Sequence, residues 1–150
     1  MSQPEKEFAI QRLYLKDLSL ETPMGPEVFK QQWKPKVHLD VNTKNNALEK
    51  EIYEVVLTLT ITAKVDEGDK TGFLVEVHQA GIFTCKGIEG DELRHVLSTV
   101  APNVLFPYAR EAVDSLVTKA SFPPLMLAPI NFDALYQQAL QEQDTQEATH

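Results

Sequence analysis

The chain has 150 residues, a length that suits one domain, and 43% of them are apolar, which is enough for a hydrophobic core. Its 22 acidic and 14 basic residues give a net charge of −8, which argues against nucleic acid or an anionic membrane surface as a partner and fits a basic one. The single cysteine, Cys85, leaves no intramolecular disulfide and indicates a reducing compartment.

The N-terminal segment has neither the basic nor the apolar region of a signal peptide, and no apolar run approaches the length of a membrane span. The sequence therefore predicts a cytoplasmic protein without direct membrane insertion. We expect a single domain over residues 1–150, ordered from about residue 8 to residue 140, with flexible tails at residues 1–7 and 141–150.

The first half of the chain is predicted to form β-strands. Between Phe8 and Leu20 the apolar residues come in pairs whose alternation slips, which indicates a bulge or a strand that packs on both faces. Residues 21–26 break this strand with prolines and a glycine. An apolar connection follows, in which we expect one turn of helix, and its large side chains are Val28, Phe29 and Trp33.

Three alternating segments come next, at residues 37–42, 53–62 and 73–78. Apolar residues at alternate positions are typical of antiparallel strands that have one face in water. The acidic segment at residues 66–70 contains a glycine and is predicted to be the turn of a hairpin between the last two strands.

The second half of the chain is predicted to be helical. Asp91 is expected to cap a helix over residues 93–100, and Pro102 and Asn103 are expected to interrupt it. A longer helix has one apolar stripe over residues 105–120 and ends at the prolines that follow.

A last helix is expected over residues 132–140. Because the strands come first and the helices second, the sequence predicts an α+β fold with helices on one face of the sheet.

No pattern of catalytic chemistry emerges. The chain has no glycine-rich phosphate loop and no nucleophile elbow, and its four histidines lack the spacing of metal ligands. Cys85 has a basic neighbour in Lys86, but no base is identifiable nearby, and a small hydrophobic residue at a strand end is the simpler interpretation. We therefore predict no enzymatic activity, no catalytic residue, no metal and no cofactor.

Two apolar stretches lie where loops usually carry polar residues. One is the connection with Phe29 and Trp33, and the other contains Leu125, Met126 and Leu127 between prolines. These side chains either complete the core or line a half-exposed groove for apolar peptide, and the sequence leaves both interpretations open.

A smaller feature is Leu74, which lies on the polar side of its strand beside Glu76. Asp17 and Glu21 are four residues apart, so they point to the same side of a regular strand. These four side chains are either a solvated face or an acidic docking patch with one apolar anchor.

Two runs are specific as a pair: Pro-Asn-Val-Leu-Phe-Pro-Tyr-Ala-Arg-Glu at residues 102–111 and Ala-Pro-Ile-Asn-Phe-Asp-Ala-Leu at residues 128–135. Further stretches accompany them in chain order, at residues 10–23, 53–57, 73–77 and 79–83. Together these stretches resemble the SecB family of protein-export chaperones over nearly the whole chain.

The resemblance implies a four-stranded antiparallel sheet with helices packed on one face, and a homotetramer built as a dimer of dimers. It implies an ATP-independent chaperone that keeps unfolded precursor proteins translocation-competent and delivers them to the SecA motor, whose basic zinc-binding tail would bind the outer side of the sheet. Client peptide is then expected to bind at Phe29, Trp33, Tyr53, Leu125 and Leu127. The motor is expected to dock at Asp17, Glu21, Leu74 and Glu76.

Two alternatives come with this interpretation. A general antifolding or toxin–antitoxin-associated chaperone would share the fold and the groove but would lack the acidic residues of the docking patch. A small-molecule enzyme on an α+β scaffold would need a closed pocket with a catalytic acid or base, and the sequence offers no candidate for one.

Overall fold

Four antiparallel strands form one sheet in the computed structural model. The structure describes residues 5–65 and 69–148, with side chains described up to residue 145. Their order across the sheet is β1-β4-β3-β2. Helices cover one face of this sheet, so the predicted α+β fold is confirmed. The strands are β1 (Glu7–Glu21), β2 (Lys36–Glu49), β3 (Ile52–Val65) and β4 (Lys70–Lys86).

The predicted hairpin and the predicted helical turn are both in place. β3 and β4 pair antiparallel along their whole length, while residues 66–68 of the connecting turn lie outside the described residues. The apolar connection after β1 contains a short 3₁₀ helix, Gly25–Lys30, as expected.

Two bulges explain the slipping pattern of β1. Its pairing with β4 shifts by one residue at Gln11 and again at Lys16. Residues directly opposite each other on antiparallel strands share a face, so each extra residue returns the apolar side chains to the face that the helices cover. This helix face therefore receives the full apolar set of β1: Phe8, Ile10, Leu13, Leu15, Leu18 and Leu20.

The core lies between the helix face and the long helix α2 (Ala101–Lys119). Alternate residues of β3 and β4 are fully buried there, together with the helix stripe Leu105, Ala109, Val113 and Val117. Gly81 allows the close approach of the helix, because a Cβ at this position would lie 2.8 Å from the Phe83 ring and 3.1 Å from Leu105. Full burial of each large apolar side chain contributes about 1.5–3 kcal/mol to stability.

The chain passes into α2 without a break, so the predicted interruption at Pro102 and Asn103 is wrong. A short helix α1 (Gly90–His95) leads through a π-helical segment, Val96–Val100, directly into α2. In that segment the N–H of Ala101 bonds to the carbonyl of Val96, five residues back. We infer that this wider turn accommodates Pro102, whose ring and missing N–H disfavour a regular α-helical turn.

The predicted cap at Asp91 is also wrong. The helix begins at Gly90, and the residue at its N-cap is Glu89, whose side chain makes no capping hydrogen bond. Asp91 lies inside the first turn, where a negative charge still interacts favourably with the helix dipole.

The last helix, α3 (Phe132–Ala148), is longer than predicted. The side-chain oxygen of Asn131 accepts a hydrogen bond from the N–H of Ala134 at 3.0 Å and caps the first turn. The sequence predicted a helix end near Leu140 because the following residues are polar, but Gln and Glu are good helix formers and continue it. Residues 1–4 and 149–150 of the predicted tails lie outside the described residues.

Candidate functional site

Four aromatic side chains stack at the end of the sheet where β4 begins, and we call them the aromatic cluster: Phe29, Trp33, Phe73 and Phe122. The Trp33 and Phe122 ring centroids are 4.8 Å apart, and those of Phe29 and Phe122 are 5.6 Å apart. Phe73 and Phe122 are buried, whereas Phe29 is 56% exposed. The core thus continues outward into an exposed aromatic surface: Phe73 and Phe122 complete the core, and Phe29 stays accessible.

The segment between α2 and α3 has no regular secondary structure, and one carboxylate holds it in place. Asp114 Oδ1 accepts hydrogen bonds from the N–H groups of Leu125, at 2.9 Å, and Met126, at 3.3 Å. Leu125 and Leu127 are half-buried against the core, while Met126 between them is 76% exposed. The sequence analysis named Met126 beside Leu125 and Leu127 as a core or groove side chain, but it did not include Met126 among the predicted client-binding residues.

Tyr53 does not lie with the other predicted client-binding residues. It pairs with Phe83 near the far end of β4, whereas Trp33 packs on Phe73. Ten residues of one strand separate these two phenylalanines, which corresponds to roughly 30 Å. The five predicted residues therefore form two separate surfaces, with Tyr53 alone on the second.

A groove of about 340 Å³ between β2 and α3 was not predicted from the sequence. Val41 and Thr43 line one wall, and Leu135 and Tyr136 line the other. The sequence predicted each wall separately, one as an alternating strand and the other as a helix. Their proximity could not be predicted, because it depends on where the segment between α2 and α3 places α3. Two further contacts fix the start of α3: His95 Nε2 lies 2.9 Å from Asp133 Oδ1, and the His95 and Tyr136 ring centroids are 5.6 Å apart.

The predicted docking residues come together on the face opposite the helices, which we call the open face. Glu21 lies directly opposite Leu74, and Asp17 lies opposite His78, two residues from Glu76 on the same strand. The second bulge precedes Asp17, so β1 is regular from there to Glu21 and presents both acids on one side. Glu76 accepts a hydrogen bond from the Thr60 hydroxyl at 3.2 Å.

A carboxylate next to this patch is nearly buried although it lies on the open face. Glu54 is 8% exposed and accepts hydrogen bonds from the hydroxyl of Tyr14 and from Lys16 Nζ, the latter at 2.9 Å. These two bonds hold the pKa of Glu54 below its usual value, against the opposing effect of desolvation. The bond to Glu54 is the main reason that the pKa of Tyr14 is raised to about 12, with burial adding to it. The sequence did not single out this network.

Within the described residues, no group of three His, Cys, Asp or Glu side chains is arranged to hold a metal ion. In the same part of the chain, no helix is long and apolar enough to cross a bilayer. Cys85 is buried at the end of β4, and burial raises the pKa of its thiol.

Comparison with known proteins gives one consistent result. Residues 1–143 match the family described as preprotein translocase subunit SecB. The protein-export protein SecB of Marinobacter nauticus is 53% identical over 98% of this chain and 88% of its own length. The protein-export protein SecB of Stutzerimonas stutzeri is 57% identical over 89% of this chain and 80% of its own length. A SecB-like chaperone from Mycobacterium tuberculosis, solved in complex with a peptide from an antitoxin, has the same fold with a TM-score of 0.67, 19% identity and coverage of 82% of this chain and 90% of that one.

Proposed function

The chain belongs to the SecB family, and from this premise we propose that it is an ATP-independent chaperone that binds unfolded precursor proteins, keeps them translocation-competent and delivers them to the SecA motor for export. The observation that carries the proposal is the aromatic cluster, which exposes Phe29 on a buried aromatic base. The toxin–antitoxin alternative is not favoured, because the similar curated relatives are named as export proteins.

Client segments bind at the aromatic cluster through Phe29 and Trp33 and continue along Leu125 and Leu127. Apolar contact of this kind contributes about 25 cal/mol per Å² and does not depend on a particular client sequence. The exposed Met126 adds an adaptable side chain, which suits a surface that accepts many clients. A long client that reaches several such sites on one assembly is held by avidity even where each site is weak.

The motor docks on the open face at Asp17, Glu21, Leu74 and Glu76. The three carboxylates provide attraction for a basic segment, and the half-buried Leu74 provides an apolar anchor among them. Client surface and docking surface lie on different parts of the subunit, which supports handover without prior release of the client.

The protein assembles as a homotetramer, a dimer of dimers. β1 is an edge strand, and on its helix face Ile10, Leu15 and Leu18 are 48%, 46% and 36% exposed. Leu15 and Leu18 adjoin Ala112 and Leu116 on the side of α2, so strand and helix present one continuous apolar surface. Burial of this surface by another subunit would remove both the exposed apolar area and the open edge.

We place the protein in the cytoplasm, without nucleic acid, cofactor, membrane insertion or enzymatic activity as part of its role. The test dilutes a denatured precursor into buffer with and without the protein. The precursor should stay unfolded and soluble with the protein present and leave it when the motor is added. A precursor that folds at an unchanged rate would contradict the proposal.

A further inference from the structure

One histidine lies among the proposed docking residues on the open face. His78 is on β4, two residues from Glu76 and directly opposite Asp17 on β1. Residues directly opposite each other on antiparallel strands have Cβ atoms about 5 Å apart. The imidazole is therefore next to two of the acidic positions at which the basic segment of the motor is proposed to bind.

Both ring nitrogens of His78 have polar neighbours. Nδ1 is 3.0 Å from the hydroxyl oxygen of Thr58 on β3, and Nε2 is 3.5 Å from Glu76 Oε2. The other carboxylate oxygen of Glu76 accepts the hydrogen bond from Thr60. These partners favour a neutral ring with its proton on Nε2, which faces the carboxylate, while Nδ1 accepts from Thr58. The ring thus helps to fix the direction of the Glu76 carboxylate.

The other charged groups near His78 are bound elsewhere or lie further away. On β1, Lys16 is adjacent to Asp17 but binds Glu54. On β2, one strand beyond β3, the row of His78 contains the neutral Asn42, with Asp40 and Lys44 in the rows on either side. The residues of β3 that face this region are neutral: Val56, Thr58 and Thr60. Within the described part of the chain, the charged groups directly beside the ring are therefore the carboxylates of Glu76 and Asp17.

We propose that His78 is a further residue of the docking site, which positions Glu76 as a neutral ring and weakens docking of the basic segment when it is protonated. The added proton places a positive charge beside two of the three carboxylates of the site, and the charged ring competes with the segment for Glu76. Histidine is the side chain whose ordinary charge change falls between about pH 5 and pH 8. This inference rests on the proposed docking of the motor and adds its regulation by pH.

A second histidine on the open face provides a matched control. His38 Nε2 lies 3.2 Å from Asp40 Oδ1 on β2, so this histidine is also next to a carboxylate. His38 is two strands away from His78, a separation of roughly 10 Å or more. Because the Debye length is about 10 Å at 0.1 M salt, protonation of His38 should affect docking much less at that ionic strength.

The test uses the full-length assembly and a dye-labelled peptide with one leucine flanked by arginines. The peptide has no histidine or cysteine, so its own charge stays constant between about pH 6 and pH 8. Binding is measured by fluorescence anisotropy at these two pH values in about 0.1 M salt. The variants are His78→Gln, which is neutral at both pH values, His78→Lys, which is charged at both, and the control His38→Gln. His78 lies on the open face, so these changes open no cavity in the core, and the mass and thermal melt of each variant should match those of wild type.

Wild type should bind the peptide about fivefold more weakly at pH 6 than at pH 8. His78→Gln should bind almost equally at both pH values, and His78→Lys should bind at pH 8 as weakly as wild type binds at pH 6. His38→Gln should keep the pH dependence of wild type. A wild-type affinity that does not change with pH would overturn the inference, as would a pH dependence that persists in His78→Gln or disappears in His38→Gln.

The proposed docking has its own readout in the same experiment, because Glu76→Lys should abolish binding of the peptide at pH 8. If Glu76→Lys abolishes binding and the wild-type affinity does not depend on pH, only the role of His78 is wrong. If Glu76→Lys leaves binding unchanged, the docking site itself is contradicted, and the role of His78 with it.

Discussion

The hydroxyl of Tyr14 on β1 donates a hydrogen bond to the carboxylate of Glu54 on β3, across the intervening strand β4. On β4, Ala80 lies directly opposite Tyr14, and Ile82, the next residue on the same face, lies directly opposite Glu54. Lys16, the extra residue of the second bulge, binds the same carboxylate. The edge strand is therefore joined to the centre of the sheet by a charged network on the same face as the proposed docking residues.

Glu54→Gln should lower the free energy of unfolding by about 1–3 kcal/mol at pH 7, because it removes the charged acceptor of two hydrogen bonds. The pKa of Glu54 is lowered on folding, so its stabilisation is present above its usual value of 4.5 and disappears as the pH falls through the lowered pKa. The pKa of Tyr14 is raised from 10.0 to about 12, so its stabilisation is present below pH 10 and disappears as the pH approaches 12.

Urea unfolding of wild type and variant at a series of pH values measures this difference. Glu76→Gln is the control, because Glu76 lies on the same face with its side chain 44% exposed and should change stability by less than about 0.5 kcal/mol. If the difference in free energy of unfolding between wild type and Glu54→Gln stays constant as the pH falls into the acid range, the ionised carboxylate is not the cause of that difference.

Phe29→Ser should weaken the binding of an unfolded precursor by roughly tenfold while leaving stability nearly unchanged, because Phe29 is exposed and its loss opens no cavity. Binding is measured through the fluorescence of Trp33, which is the single tryptophan and belongs to the same cluster. Phe73→Ser is not a useful comparison, since Phe73 is fully buried and belongs to the core. Normal precursor binding by Phe29→Ser would place the client surface elsewhere.

Glu76→Lys, and separately Asp17→Ala with Glu21→Ala, should abolish binding of the motor's basic tail, because both changes remove the attraction around Leu74. Titration calorimetry with the tail peptide at low salt measures this, and client binding and tetramer mass should stay normal. Asp40→Lys is the matched control for Glu76→Lys, since Asp40 lies in the same row of the open face two strands away. Equal losses of tail binding in Glu76→Lys and Asp40→Lys would indicate that the negative charge of the whole open face attracts the tail, rather than a local contact around Leu74.

Leu15→Asp with Leu18→Asp should break the proposed tetramer into smaller species, because charged side chains would replace the exposed apolar surface beside α2. Light scattering at micromolar concentration gives the mass. The matched control is Gln11→Asp with Ser19→Asp, which adds the same two negative charges to exposed positions of β1 on its open face. Tetramer mass in the Leu15 and Leu18 variant would rule out this surface as the subunit contact.

Local patterns predicted the sheet well and the sites only in part. The alternation in β3 and β4 identifies the helix face because a strand has a period of two, and the paired slips in β1 identify its bulges. The prediction of a helix break at Pro102 was wrong, because the π-helical segment before this proline cannot be recognised from residue types. Likewise, no local pattern shows that Tyr53 lies far from Trp33, or that α3 returns beside Val41, since these distances depend on the assembled sheet.

The bulges of β1 make its length adjustable at two points. Deletion of Gln11 would straighten the first bulge and leave every later side chain of β1 on its present face, at the cost of one hydrogen bond to Thr84. Deletion of Lys16 would preserve the faces too, but it would also remove a bond to Glu54. Deletion of a residue inside β3, such as Leu59, would exchange buried and exposed side chains along the rest of that strand. Circular dichroism melts of the three deletions should rank them in this order, because β1 can lose a bulge residue without a change of face and a regular central strand cannot.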